Sequence, residues 1–320
     1  MIYILLVCAL FISNANAYEP LWWNNFEFPI GAYPWPNTPT GSLMLYHGYC
    51  FRKSNGDNFD SWTISDKYAI NGKSSIRVFN DNAFPNNKAK NCPYSWLKAE
   101  NKVRNEIQIG SNGSSSDPNP WWGELRFDDP GLWVVFAMYI PSNEGNYSDW
   151  IQMGTPRSII FQFFGGGNSG TPETHGLLGK NLKLDIEITY STHPSREENN
   201  HKRYNVYLDK DKWNTVVMYK KRSWENDGEF KLWLNCPNLP KQCNPIINYK
   251  GPNAIRNKPY QYIKMFNYRS DGGYAKRVQQ VFYFDAASLH RQGTPWVNVV
   301  GDLYQHSEKS LPMPPTWSMK

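Results

Sequence analysis

Tyr260-Gln-Tyr-Ile-Lys-Met-Phe-Asn-Tyr-Arg269 is the stretch on which the fold turns. Tyr260, Tyr262, Lys264, Phe266 and Tyr268 alternate with Ile263 and Met265, and successive side chains of a β-strand point to opposite faces. Read as a strand, it buries one face in a core and offers three phenols, an ammonium and a phenyl ring on the other. That second face is expected to hold a ligand.

Two earlier segments repeat the design. In Val103-Arg-Asn-Glu-Ile-Gln-Ile109, Val103, Ile107 and Ile109 alternate with Arg104, Glu106 and Gln108; in Ile159-Ile-Phe-Gln-Phe-Phe164, Phe161 and Phe163 flank Gln162. If the three strands are neighbours in one sheet, their polar faces combine Arg104, Glu106, Gln162, Lys264 and Tyr268 into one patch. Further strands are expected at 43–51, 74–79, 213–219 and 230–235, and Leu182 to Tyr190 alternates cleanly. Trp133 to Ile140 is instead a continuous apolar run stopped by Pro141, as in a central strand covered on both faces. Gly165 to Pro172 reads as a loop beside the cleft, without the strand-to-helix context of a phosphate-binding loop, and Ser191 to Arg203 as a charged connection. No long window has helical periodicity, so helices should be few and short. Many strands separated by turn-rich segments imply an all-β, two-sheet sandwich.

The ends and the cysteines bound the setting. Residues 1–17 form a short apolar run closing on Ala15-Asn-Ala17, the small-x-small form of a signal-peptide cleavage site, and the run is too short to span a bilayer. The expected organisation is therefore a signal peptide at 1–17, an extended arm at 18–42, one domain at 43–292 and a tail at 293–320, in a secreted, extracellular protein. Cleavage removes Cys8 and leaves Cys50, Cys92, Cys236 and Cys243, an even set in an oxidising compartment. Four cysteines allow three pairings; the expectation is Cys50 with Cys92 and Cys236 with Cys243. No Cys-x-x-Cys spacing supports zinc instead. Asn112-Gly-Ser114 and Asn146-Tyr-Ser148 are glycosylation sequons. A formal charge of +6 over 320 residues suits an anionic partner, although the basic residues are dispersed and charge alone is a modest pointer.

The order Arg104-x-Glu106, then a strand with Gln162, then Tyr262-x-Lys264-x-x-x-Tyr268 resembles the three-strand signature of the jelly-roll polysaccharide lyases, the group of alginate, glucuronan and heparin lyase I-like enzymes. The likeness continues through Asp227-Gly228 and Val281-Phe-Tyr-Phe-Asp285 and covers roughly residues 95 to 292. It implies a concanavalin A-like jelly roll and β-elimination on a uronic-acid polysaccharide. It implies Tyr268, Arg104 and Gln162 as catalytic residues, with Lys264, Glu106, Tyr262, Phe266 and His175 binding substrate. The implied partner is an acidic polysaccharide, with no nucleic acid and no membrane, and the protein is expected to be a monomer. No cofactor and no metal are required.

The chemistry explains why these residue types would be grouped. A lyase removes the hydrogen at C5 of a uronate, and the developing carbanion loads more negative charge onto the adjacent carboxylate. A donor aimed at that charge contributes roughly 3 kcal/mol; an Arg104 fork and a Gln162 amide have the required N–H groups. Tyr268 would carry protons, and its phenol, with a free pKa of about 10, would need a cation such as Lys264 or Arg104 to act as phenolate. Each residue also has a plainer role open to it: an edge tyrosine, a surface lysine, or a cross-strand Arg104–Glu106 ion pair that contributes little when exposed.

Two departures from the signature stand out. Relatives commonly carry Gln-x-His where this chain has Gln162-Phe-Phe164, so a histidine would have to come from elsewhere, from His47 or from His175 after the glycine-rich loop. Relatives commonly have glycine where Phe266 stands, and on the Tyr268 face this ring would stack on a sugar or obstruct it. Two rival readings follow. Leu184-Asp-Ile-Glu-Ile188 is similar to the Glu-x-Asp-x-Glu strand of retaining jelly-roll glycoside hydrolases, but Lys183 stands in the place of the first acid. A non-catalytic, lectin-like binding protein on the same fold is the other.

Overall fold

The computed structural model describes residues 62–81, 103–109, 131–145, 158–165, 172–191, 200–236, 243–255, 261–269 and 279–301, with short pieces at 22–24, 45–48, 51–52 and 58–59 and the single residues Tyr147 and Leu303. In chain order the strands are β1 (Trp22–Asn24), β2 (Leu45–Gly48), β3 (Phe51–Arg52), β4 (Asn58–Phe59), β5 (Trp62–Ser65), β6 (Ser75–Asp81), β7 (Val103–Ile109), β8 (Gly131–Tyr139) and β9 (Ser158–Gly165). There follow β10 (Thr174–Leu178), β11 (Lys183–Tyr190), β12 (Asn200–Tyr207), β13 (Trp213–Lys221), β14 (Glu229–Leu234), β15 (Ile247–Lys250), β16 (Gln261–Arg269) and β17 (Gln279–Arg291), then the helix α1 (Trp296–Gly301).

The strands form two large antiparallel sheets in a jelly-roll sandwich. The back sheet runs β15-β14-β13-β8-β17-β6-β5, with β1 also paired to β17; the front sheet runs β12-β11-β10-β9-β16-β7-β2. Between them lies a core to which the front sheet contributes Phe161, Phe163, Leu184, Ile186, Ile188, Ile263 and Met265, and the back sheet Val134, Phe136, Met138, Met218, Phe230 and Phe284.

The two sheets differ in what covers their outer faces, and that difference locates the site. Outside the back sheet, Val135, Ala137, Val217, Tyr219 and Trp233 form a second apolar cluster with Val299 and Val300 of α1 and with Leu303. A strand buried on both sides has no polar face to offer, hence the unbroken apolar run of β8. Front-sheet β11 instead alternates buried Leu184, Ile186 and Ile188 with partly exposed Lys183, Asp185 and Glu187. The outer face of the front sheet therefore carries the polar chemistry.

Several expectations need revision. The charged connection at 191–203 is in part a strand, because Asn200–Tyr207 pairs along the whole of β11. Thr174–Leu178, Trp62–Ser65 and Ile247–Lys250 are also strands that the pattern had not indicated. The segment expected to be a tail begins with α1, whose Val299 and Val300 are buried on the back sheet. The Cys236–Cys243 disulfide is formed. The signal-peptide run at 1–17, Cys50, Cys92, Asn112 and Asn146 lie outside the described residues.

Candidate functional site

Three strands far apart in sequence become neighbours in the front sheet, because β16 lies between β9 and β7. Arg104 on β7 pairs in register with Tyr268 on β16, and Lys264 pairs with both Gln162 on β9 and Gln108 on β7. The three alternating segments are thus neighbouring strands of one sheet. His47, on β2, pairs with Glu106 on β7.

The register extends these pairs into two rows that cross the strands. One runs Gln108–Lys264–Gln162–His175–Glu187–Arg203 over β7, β16, β9, β10, β11 and β12. The other runs Arg104–Tyr268–Ile159–Leu177–Asp185–Asn205 over the same strands. Gln162 thus stands beside Lys264 and His175, whereas Arg104 and Tyr268 belong to the second row.

His175 is on a strand, not in a loop, and its placement depends on a glycine. A Cβ on Gly176 would sit 2.5 Å from Cε1 of the Phe161 ring, so only glycine lets β10 pass over that buried aromatic. The register between β9 and β10 shifts at Gly176/Leu177, which leaves His175 opposite Gln162. Gln162 is buried, and buried amides are normally hydrogen-bonded. Nδ1 of His175 is also buried, with no hydrogen-bond partner among the described residues. Burial is the main cause that holds this imidazole below its ordinary pKa; Glu187 opposes the shift, and His201 and Arg203 reinforce it. A neutral imidazole with an unoccupied nitrogen can take or share a proton.

Aromatic rings flank the Gln162–Lys264 pair. Phe164 and Tyr262 are register partners, stacked with ring centres 4.6 Å apart and planes 3° from parallel. The Lys264 ammonium lies 5.3 Å from the Phe164 ring centre and 5.9 Å from that of Tyr262. Such contacts hold a flexible lysine close to the sheet.

Phe266 corrects an expectation. It is fully buried, with its ring 4.3 Å from that of Phe284 across the sandwich, so it neither stacks on a sugar nor blocks one. Between β16 and β9 the register passes from Met265–Phe161 to Tyr268–Ile159, so residues 266 and 267 oppose the single residue Ile160. This bulge breaks the two-residue period. Phe266 sits at φ 91°, a region costly for a bulky L-residue and open to glycine. The glycine of the lyase signature at this position thus matches a backbone requirement.

The acids of β11 are engaged by cations. Lys183 Nζ lies 3.0 Å from Asp185 Oδ1. One oxygen of Glu187 faces Arg203 Nε at 2.7 Å and the other His201 Nδ1 at 3.0 Å. A glycosidase acid must hold a proton for its leaving group, and Glu187 has one oxygen turned toward the Arg203 guanidinium and the other toward His201. His201, Arg203, Asn205 and Tyr207 on β12 were missed in this part of the face, because only Val206 and the partly buried Tyr204 mark the inward side of that strand.

Just before β10, Glu173 is buried and accepts hydrogen bonds from Lys220 Nζ at 3.1 Å, from Arg222 Nη2 at 2.6 Å and from the Ile255 amide at 3.1 Å. These donors hold its carboxyl below the usual range in spite of burial. The cluster ties the start of β10, two residues before His175, to β13 of the back sheet. Among the described residues no group of three or more His, Cys, Asp or Glu side chains could hold a metal ion, and no helix is long and apolar enough to cross a membrane.

The fold has known counterparts. The catalytic domain of a glycoside hydrolase family 131 protein from Coprinopsis cinerea superposes with a TM-score of 0.51 at 9% identity, over 86% of this chain and 95% of that one. The family 131 β-glucanase catalytic domain from Podospora anserina gives 0.50 at 11% identity, over 87% and 99%. An endo-β-1,4-glucuronan lyase from the fungus Trichoderma reesei gives 0.47 at 14%, over 78% and 96%. No family model and no curated protein sequence matches the chain. The chain has a β-jelly-roll fold of the kind found in carbohydrate-active enzymes.

Proposed function

We propose that the protein cleaves a uronic-acid-containing polysaccharide by β-elimination on the outer face of the front sheet. The observation that carries this reading is the register of β7, β16, β9 and β10, which pairs Arg104 with Tyr268 and Gln162 with both Lys264 and His175. Arg104 and Gln162 donate hydrogen bonds to the substrate carboxylate and offset the charge that grows on it as C5 is deprotonated. Tyr268, beside Arg104, takes the C5 proton or returns one to the leaving oxygen. His175 fills the place of the histidine that the lyase signature carries in Gln-x-His, now from the adjacent strand. Lys264 and Glu106 support substrate binding, with Tyr262 as part of the aromatic floor. The substrate is an acidic polysaccharide and the product carries an unsaturated sugar at its new non-reducing end.

The test is to incubate the protein and its Tyr268→Phe variant with glucuronan, alginate, heparan sulfate and hyaluronan while recording the ultraviolet absorbance of the new conjugated double bond. Absorbance from the wild type that is lost in the variant supports elimination with Tyr268 as proton carrier. Binding without absorbance on any polymer overturns the reading for those substrates and leaves a lectin-like protein.

A further inference from the structure

The first polar row continues past the proposed reaction centre onto β11 and β12, where no role has yet been given to its side chains. Arg203 is 70% exposed, and among the described residues its only hydrogen bond runs from Nε to Glu187. Glu187 therefore holds the guanidinium through Nε, and the two terminal nitrogens make no hydrogen bond among the described residues, which leaves a fork for a carboxylate. Four residues along β12 on the same face, Tyr207 is 64% exposed. It pairs with Lys183, which keeps Asp185 occupied. Tyr207 thus stands about 13 Å from Arg203 along the strand, beyond the Asp185–Asn205 pair, and the anion fork of the first row is the held guanidinium alone.

We infer that Arg203 forms a distal subsite for a second acidic sugar of the same polymer. The inference rests on the reading of Gln162 and Lys264 as the reacting end. Gln162 and Arg203 belong to one row and are three strand steps apart, roughly 14 Å at ordinary strand spacing. A pyranose repeat is about as long as one strand step, so a chain laid along the row brings the third sugar beyond the reacting one over Arg203. The ligand is thus an oligouronate of four or more units with a carboxylate at that distance.

Titration calorimetry with β-1,4-linked glucuronate and alginate oligomers of three and six sugars tests the subsite without need of turnover. Affinity of the wild type should rise roughly tenfold from trimer to hexamer, the scale of one charge-assisted hydrogen-bond pair. That gain should vanish in Arg203→Ala and be partly kept in Arg203→Lys, with neutral cellohexaose showing no such dependence on Arg203. An equal gain in wild type and Arg203→Ala, or no gain in the wild type, overturns the subsite. A gain that depends on Arg203 without any double-bond absorbance supports the subsite while the lyase reading fails.

Discussion

Gln162 and His175 stand directly opposite each other on β9 and β10. On one strand the next residue on the same face as Gln162 is Phe164, whereas the imidazole beside Gln162 comes from the neighbouring strand. A sheet makes the two solutions comparable, because a cross-strand neighbour is as close as the next residue on the same face.

If His175 acts on the substrate, His175→Gln should lower the elimination rate by about a hundredfold, the lower end of what a positioned acid or base contributes, with KM little changed. The same variant should alter the acid stability profile. Burial lowers the folded imidazole below its ordinary 6.5, so as pH falls through 6.5 toward the folded value the unfolded chain binds more protons. Stability therefore rises with pH in that interval and is lost on acidification. Melting temperatures between pH 5 and 7 should decline less steeply in His175→Gln; an unchanged slope would place the acid sensitivity elsewhere.

Phe266 gives a prediction that reverses the usual ranking. Truncating a buried phenylalanine to alanine costs about 3–5 kcal/mol, and in an ordinary strand glycine would be worse still. At φ 91° an alanine keeps a penalty of roughly 1–2 kcal/mol that glycine escapes. Phe266→Gly should accordingly be more stable than Phe266→Ala in urea unfolding, although less stable than the wild type.

The buried cluster before β10 is asymmetric. Glu173→Gln leaves the Lys220 and Arg222 charges without their shared carboxylate and should cost about 3–5 kcal/mol. Lys220→Met removes a cation that burial has already pulled down to about 8 and still leaves Arg222 on Glu173, so it should cost clearly less. Chemical denaturation of the two variants decides the order; equal losses would mean that the lysine contributes as much as the acid.

The Cys236–Cys243 bridge closes a loop with a sequence separation of 7. Chain-entropy arguments assign such a loop about 2.5 kcal/mol. Replacing both cysteines by alanine should lower the unfolding free energy by about that amount, without altering elimination, because the bridge lies at the outer cluster of the back sheet.

What could be read in advance follows the physics of the two faces. A half-buried strand such as β11 carries an alternation that names both its core residues and its polar side, and so the two-sheet sandwich was legible. β12 was not, because as a marginal strand it has only Tyr204 and Val206 to turn inward, and five of its eight residues are exposed. β10 was hidden by Gly176, a residue that usually weakens a strand and is needed here by the Phe161 ring. The direction of Phe266 depends on a bulge against β9, a partner about a hundred residues away, and no local pattern announces such a contact. The joining of Gln162 to His175 is likewise a fact of register rather than of spacing.

The position of β12 at the margin of the front sheet has a consequence for solubility. A marginal strand presents unpaired amides and carbonyls to any extended segment that drifts alongside, and proteins blunt that template with charge. His201, Lys202 and Arg203 are consecutive and exposed there. An incoming strand would have to desolvate them, so the margin resists edge-to-edge aggregation, and a charge-neutral substitution of all three should show itself first as self-association at high concentration.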